Sequence, residues 1–246
     1  MIQENLRFLR AHQTVQVIVV TSAQSGEGKS EVAANLAAAL GQQGQKTLLI
    51  DADLRQPNQH HLWRLSNQEG LSNVLIGQTN FRPKRSPDVP KLGVLTAGEV
   101  VTNPLRLLAS QHMFALVRSA RNYFDYVVVD APPLLAAADA LALGSLGDGL
   151  LLVTRPGVID RRAASQTKEI LEKHEQQVLG LVVNGLSAGH FPSSSAPDDS
   201  DLDSGLNTDL VSARDSTADL QNHSRSSHRP VGLLTSVLKA RSTGTE

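Results

Sequence analysis

A β-branched run that empties into a glycine loop and then an alanine-rich helix constrains this chain more than any other feature. The stretch is Val15 to Ser30, VQVIVVTSAQSGEGKS, followed by EVAANLAAAL. Val15 and Val17 to Val20 read as a strand buried on both faces. The strand stops at Thr21-Ser22, and Gly26 and Gly28 make the loop that follows. Lys29-Ser30 opens the helix, which ends near Gly41 and Gly44. Strand, glycine loop and Lys-Ser at a helix start form a phosphate-binding P-loop in context. Glycines let backbone N–H groups turn inward around phosphate oxygens, and the helix N-terminus adds partial positive charge. Lys29 can reach the β- and γ-phosphates and the Ser30 hydroxyl can ligate Mg²⁺. Ala23 stands where the usual G-x-x-x-x-G-K-[ST] pattern has its first glycine.

Downstream, KTLLIDAD (46–53) reads as a second buried strand that ends in Asp51 and Asp53. Side chains alternate along a strand, so these two point to the same side while the strand lasts. FDYVVVDAPP (124–133) gives another, Tyr126 to Val129, closed by Asp130. All three carboxylates fall at carboxyl ends of strands, the edge where open α/β sheets bind ligands. Phosphoryl transfer needs phosphates held in line, a Mg²⁺ on the β- and γ-oxygens, and a group to orient or deprotonate the acceptor. Ser30 and Asp130 fit the metal-holding roles, and Asp51 and Asp53 supply one carboxylate for the outer metal shell and one base. His60 and His61 are adjacent, and neighbouring side chains rarely chelate one ion, so they read as packing residues.

The remaining elements follow the same alternation. Residues 2 to 10 form a predicted helix with Ile2, Leu6 and Leu9 on one face and Glu4, Arg7 and Arg10 on another. Short helices are expected after Pro57 and at LSNVLIG, an exposed loop at FRPKRSPDVPK, and a strand at LGVLTAG (92–98). Asn103-Pro104 caps a helix expected to run to about Asn122. AAADALAL and RRAASQTKEILEKHEQQ predict helices, and DGLLLVTRPG (148–157) and VLGLVVNGL (178–186) predict strands. The expected fold is a doubly wound, mainly parallel α/β sheet flanked by helices, a P-loop NTPase domain over residues 1–190. Residues 191–246, dominated by Ser, Asp and Asn, cannot bury enough surface to offset their ordering entropy and are expected to form a disordered tail. Within it, 231–240 (VGLLTSVLKA) is apolar enough for a short docking helix or is a frayed end.

Composition narrows the function further. A formal net charge of −1 gives no argument for nucleic acid as a partner. The chain has no cysteine, which excludes disulfides, zinc–thiolate sites and thiol nucleophiles. It contains no run of about 18 apolar residues, and MIQENLRFLR lacks the apolar region of a signal peptide. A cytoplasmic protein is expected.

The segments TSAQSGEGKS, LLIDADLRQP, FDYVVVDAPP and LGLVVNG resemble the bacterial tyrosine kinases of capsular and exopolysaccharide export. The likeness extends through HHLWRLSNQEGLSNVLIG, LTAGEVVTNPLRLLAS, DALAL and DGLLLVTRPG, so it covers roughly residues 2 to 186, and D-x-D-x-R is its most specific part. It implies the deviant P-loop fold of MinD/ParA-type ATPases, with no relation to eukaryotic kinases, whose H-R-D and D-F-G segments are absent. It implies an ATP- and Mg²⁺-dependent protein-tyrosine kinase. Ser25, Gly26, Glu27, Gly28, Lys29 and Ser30 would bind the phosphates, and Asn184 the adenine edge. Lys29 would be the charge clamp, Asp51 the base for a tyrosine hydroxyl, and Ser30, Asp53 and Asp130 the metal site, with Arg55 beside the second carboxylate strand. Glu4, Arg7 and Arg10 match the E-x-x-R-x-x-R helix that packs subunits into a homo-oligomeric ring.

Two departures qualify the likeness. Family tails are rich in tyrosine, whereas the only tyrosines here are Tyr123 and Tyr126. The transmembrane half of some relatives is also lacking, so the expected setting is the inner face of the plasma membrane, reached through a membrane-embedded polysaccharide co-polymerase or activator, or through a longer polypeptide. A partitioning ATPase of MinD/ParA type is the alternative, although Gln24 holds the place of its signature lysine. An ATP-binding regulatory subunit without kinase activity is a third reading.

Overall fold

The computed structural model describes residues 15–86 and 88–185. The predicted first helix with Glu4, Arg7 and Arg10, and the segment 191–246, lie outside the described residues.

The described chain is a seven-stranded sheet, β1 (Val17–Ser22), β2 (Thr47–Asp51), β3 (Lys84–Arg85), β4 (Leu92–Leu95), β5 (Tyr126–Asp130), β6 (Gly149–Thr154) and β7 (Val178–Val183). Their spatial order is β3-β4-β2-β5-β1-β6-β7. Only β3 runs antiparallel, against β4. Helices α1 (Lys29–Gln42), α2 (Gln59–Leu62), α3 (Leu71–Leu75), α4 (Pro104–Leu108), α5 (Gln111–Tyr123), α6 (Asp139–Gly144) and α7 (Arg161–Lys173) connect them.

The continuous apolar runs are explained by burial on both faces. Val17, Val19, Leu48, Ile50, Val127 and Val129 belong to one core layer, packed with Met113 and Val117 of α5. Ile18, Val20, Leu49 and Val128 belong to the other, packed with Val32, Leu36 and Leu40 of α1. Parity along the strands therefore sends Asp51 and Asp130 to the α1 side, because each lies two residues after a member of that layer. Asp51 and Asp130 are also direct register partners across β2 and β5.

Three departures from expectation shape the fold or the site. The single helix expected from Pro104 to about Asn122 is two helices, α4 and α5. Ser110 is extended, and its hydroxyl accepts the Met113 N–H at 3.2 Å, so a second N-cap starts a second helix. The segment read as an exposed loop contributes the edge strand β3, whose Lys84 pairs with Val94. A two-residue strand beside Pro83 is too short for a periodicity signal. Finally, β2 stops at Asp51, so Asp53 lies in the following loop and not on the strand.

At the opposite end of the sheet, Asp148 ties β1 to α5. Its carboxylate accepts the N–H groups of Gln16 and Val17, both at 2.7 Å, and pairs with Arg121 at 2.7 Å. Burial alone would raise this carboxyl, but the Arg121 and backbone donors outweigh it and hold it below the usual carboxylate range. A depressed carboxyl contributes stability that is present above the unfolded value of about 4 and is lost as pH falls through the folded one. Asp148→Asn should cost about 1 kcal/mol at pH 7, solvent screening included, and lower Tm by roughly 2–4 °C. Thermal melts from pH 3 to 7 should show the gap to wild type closing below pH ~4; a gap that stays constant with pH would remove this account.

Candidate active site

The phosphate loop is anchored before it turns. Thr21 donates its hydroxyl to the Pro132 carbonyl at 2.7 Å, and Ser22 and Ala23 carbonyls accept the N–H groups of Leu134 and Leu135. Ala23 is buried and is not among the residues with positive φ, so this position does not need glycine. Gly26 and Gly28 do have positive φ, +87° and +88°. Gly28 is the N-cap of α1 and no side chain caps that helix, which leaves its first N–H groups for a ligand. A Cβ at Gly28 would overlap the Asn184 amide, so the close approach also demands glycine.

Glu27, expected to bind nucleotide, turns its fully buried carboxylate inward. It accepts the Gln24 N–H at 2.7 Å and the Arg155 N–H at 3.4 Å, so it braces the loop, and only its backbone faces a ligand. Asn184 donates to the Glu27 carbonyl at 3.0 Å and thus ties the end of β7 to the loop. Ser25 is exposed at the loop tip.

Lys29, Ser30, Asp51, Asp53 and Asp130 are brought together. Lys29 Nζ lies 2.8 Å from Asp53 Oδ2, 3.9 Å from Asp130 Oδ1 and 3.2 Å from Ser30 Oγ. Burial opposes the Lys29 charge, but Asp130 and Asp53 outweigh it and raise its proton affinity. Asp51 is pushed up to about 8, first by burial and then by the Asp130 charge. Burial likewise raises Asp130. One ammonium thus serves three crowded carboxylates. The Oδ1 atoms of Asp51 and Asp130 are buried without a hydrogen-bond partner.

Those orphaned oxygens fit a bound cation. Among the described residues no three His, Asp or Glu groups form a metal cage. Ser30, Asp53 and Asp130 would supply part of a shell, which suits Mg²⁺, an ion held by one or two carboxylates, waters and substrate phosphates. His60 and His61 lie ring to ring, with centroids 3.9 Å apart, and His61 is exposed.

Sequence reasoning missed two residues. Gln59 is fully buried and donates its amide to Asp130 Oδ2 at 2.8 Å and to the Ser30 carbonyl at 3.0 Å. Its usable signal was a polar residue one turn before Trp63, whose Nε1–H it accepts at 3.2 Å. Asp139 is buried and pairs with Arg55 at 2.7 Å, tying the loop after β2 to α6. A lone charge within AAADALAL was its signal.

The ParA family, described as NUBPL iron-transfer P-loop NTPase, matches residues 13–197. The chain is 40% identical over 185 residues to the tyrosine-protein kinase YwqD of Bacillus subtilis, covering 75% of this chain and 78% of that protein. It superimposes on the kinase domain of the Escherichia coli tyrosine kinase ETK with a TM-score of 0.71 and 33% identity, over 78% of this chain and 75% of that one. The cell division ATPase MinD of Pyrococcus furiosus is a more distant neighbour, with a TM-score of 0.57 and 28% identity over 68% of this chain and 71% of that one. The chain has a P-loop NTPase fold, and that family implies nucleotide binding. No helix among the described residues is long and apolar enough to cross a membrane.

Proposed function

Because the chain belongs to the bacterial tyrosine-protein kinases within the ParA-like P-loop NTPases, we propose that it transfers the γ-phosphoryl group of ATP to protein tyrosine, regulating capsular or exopolysaccharide synthesis and export. The observation that carries this reading is the convergence of Lys29 and Ser30 with Asp51, Asp53 and Asp130 at neighbouring strand ends.

In this reading the backbone N–H groups of residues 25–30 cradle the phosphates, and Lys29 supplies positive charge as charge develops on the transferring group. Mg²⁺, held by Ser30, Asp53 and Asp130, would neutralise the β- and γ-oxygens. Asp51 in its ionised form would accept the proton of the incoming tyrosine hydroxyl, and the charge of a bound cation would favour that form against the burial that raises it in the ligand-free protein. The phenolic oxygen takes the phosphoryl group as the bond to ADP breaks. Asn184 contacts the adenine edge.

The reading divides the chain into a kinase domain, 1–190, and a tail, 191–246. It assigns Glu4, Arg7 and Arg10 to contacts between copies in a ring, and location at the inner membrane face to a membrane-embedded partner.

Full-length protein incubated with Mg²⁺–ATP and a Glu/Tyr copolymer should yield phosphotyrosine by mass spectrometry. ATP hydrolysis and ATP-dependent dimers without phosphotyrosine would replace the kinase with a MinD/ParA-type switch.

A further inference from the structure

Gln59 bridges the ends of β2 and β5 and the start of α1, and has no role in the reading above. Its N–H, with that of Asn58, holds Asp51 Oδ2 at 2.9 Å and 3.1 Å. Its side-chain N–H groups hold Asp130 Oδ2 and the Ser30 carbonyl. The two carboxylate oxygens left without a hydrogen bond, Asp51 Oδ1 and Asp130 Oδ1, are the mates of the two that Gln59 holds, and the second lies 3.9 Å from Lys29 Nζ.

The amide has one usable orientation. A flip would aim its oxygen at the Asp130 carboxylate and lose the donor to Ser30. Trp63 fixes the orientation by donating Nε1–H to Gln59 Oε1, and Trp63 is the only tryptophan of the chain. A residue present only to fill space would not spend both amide hydrogens on site elements while its amide oxygen is held by Trp63.

We propose that Gln59 is a positioning residue, which fixes the Asp130 carboxylate and the Ser30 backbone in the arrangement by which these residues would hold the metal of the nucleotide complex. Outer-shell partners of metal-holding carboxylates typically change metal affinity 10–100-fold. The inference rests on the reading of Ser30 and Asp130 as metal-holding residues.

The test is calorimetric titration of the full chain with ADP, with and without Mg²⁺. Wild type should bind ADP more tightly with Mg²⁺. Gln59→Leu should keep its metal-free ADP affinity within about twofold and lose the Mg²⁺-dependent tightening by about tenfold or more. If the leucine variant melts below the assay temperature, Gln59→Met keeps the unbranched shape and carries the same measurement. Equal weakening with and without Mg²⁺, or an undiminished Mg²⁺ effect, would overturn the positioning role while leaving the site reading intact. A wild type with no Mg²⁺ effect would overturn the metal reading and this inference with it.

Discussion

Lys29→Met is expected to abolish phosphotyrosine formation, a loss of roughly 10³-fold or more, and to destabilise the ligand-free protein at the same time. The rate effect follows from removing the lysine proposed to supply positive charge to the transferring group. The stability effect follows from the ligand-free geometry. Lys29 Nζ is 2.8 Å from Asp53 and 3.9 Å from Asp130, and both carboxylates are buried. Removing one partner of a buried pair leaves an uncompensated charge and typically costs 3–5 kcal/mol. The crowded carboxylates can take up protons, so about 3 kcal/mol is expected, or roughly 6–12 °C in Tm. Phosphotyrosine assays and thermal melts on the same preparation check both halves. Unchanged transfer would remove Lys29 from the chemistry, and an unchanged Tm would remove the charge-compensation account.

Asp51→Asn should also silence transfer, by about 10²–10⁴-fold, yet it should raise the stability of the ligand-free protein. Asparagine keeps the shape and one oxygen to accept the Asn58 and Gln59 N–H groups. Its amide nitrogen can donate where the Asp51 carboxylate now stands against the Asp130 charge. Fewer acidic groups then compete for the single ammonium, worth about 1–3 kcal/mol. ADP affinity should stay within a few fold, because the proposed phosphate cradle belongs to residues 25–30. The pair of variants thus moves Tm in opposite directions while both lose activity. A lower Tm in Asp51→Asn would contradict the account of crowded carboxylates.

Much of this architecture was legible because it is encoded locally. The run from Val17 through Lys29 carries strand, turn and helix in order, and the hydrophobic runs before Asp51 and Asp130 announce strands buried on both faces. What the sequence could not show depends on side chains meeting across the fold. Ser110 looks like any helical serine until its hydroxyl caps Met113, and β3 exists only because β4 offers it an edge. Glu27 is expected among the phosphate-binding residues, but its carboxylate is folded under the loop onto the Gln24 and Arg155 N–H groups. Gln59 lies 71 residues from Asp130 and 29 from Ser30, and no local pattern records that meeting.

The direct register of Asp51 against Asp130 has a consequence for how such a site can vary. Neighbouring strands keep a spacing of about 4.8 Å, so the sheet acts as a ruler between the proposed base and the proposed metal carboxylate. Both sit on strands flanked by others, and changing their separation would mean deforming the most buried part of the molecule. Acceptor choice therefore has to be written elsewhere, in the loops after β2 and β5 or on the surface of the incoming molecule. The chemistry is inherited from the sheet and the selectivity is free to drift.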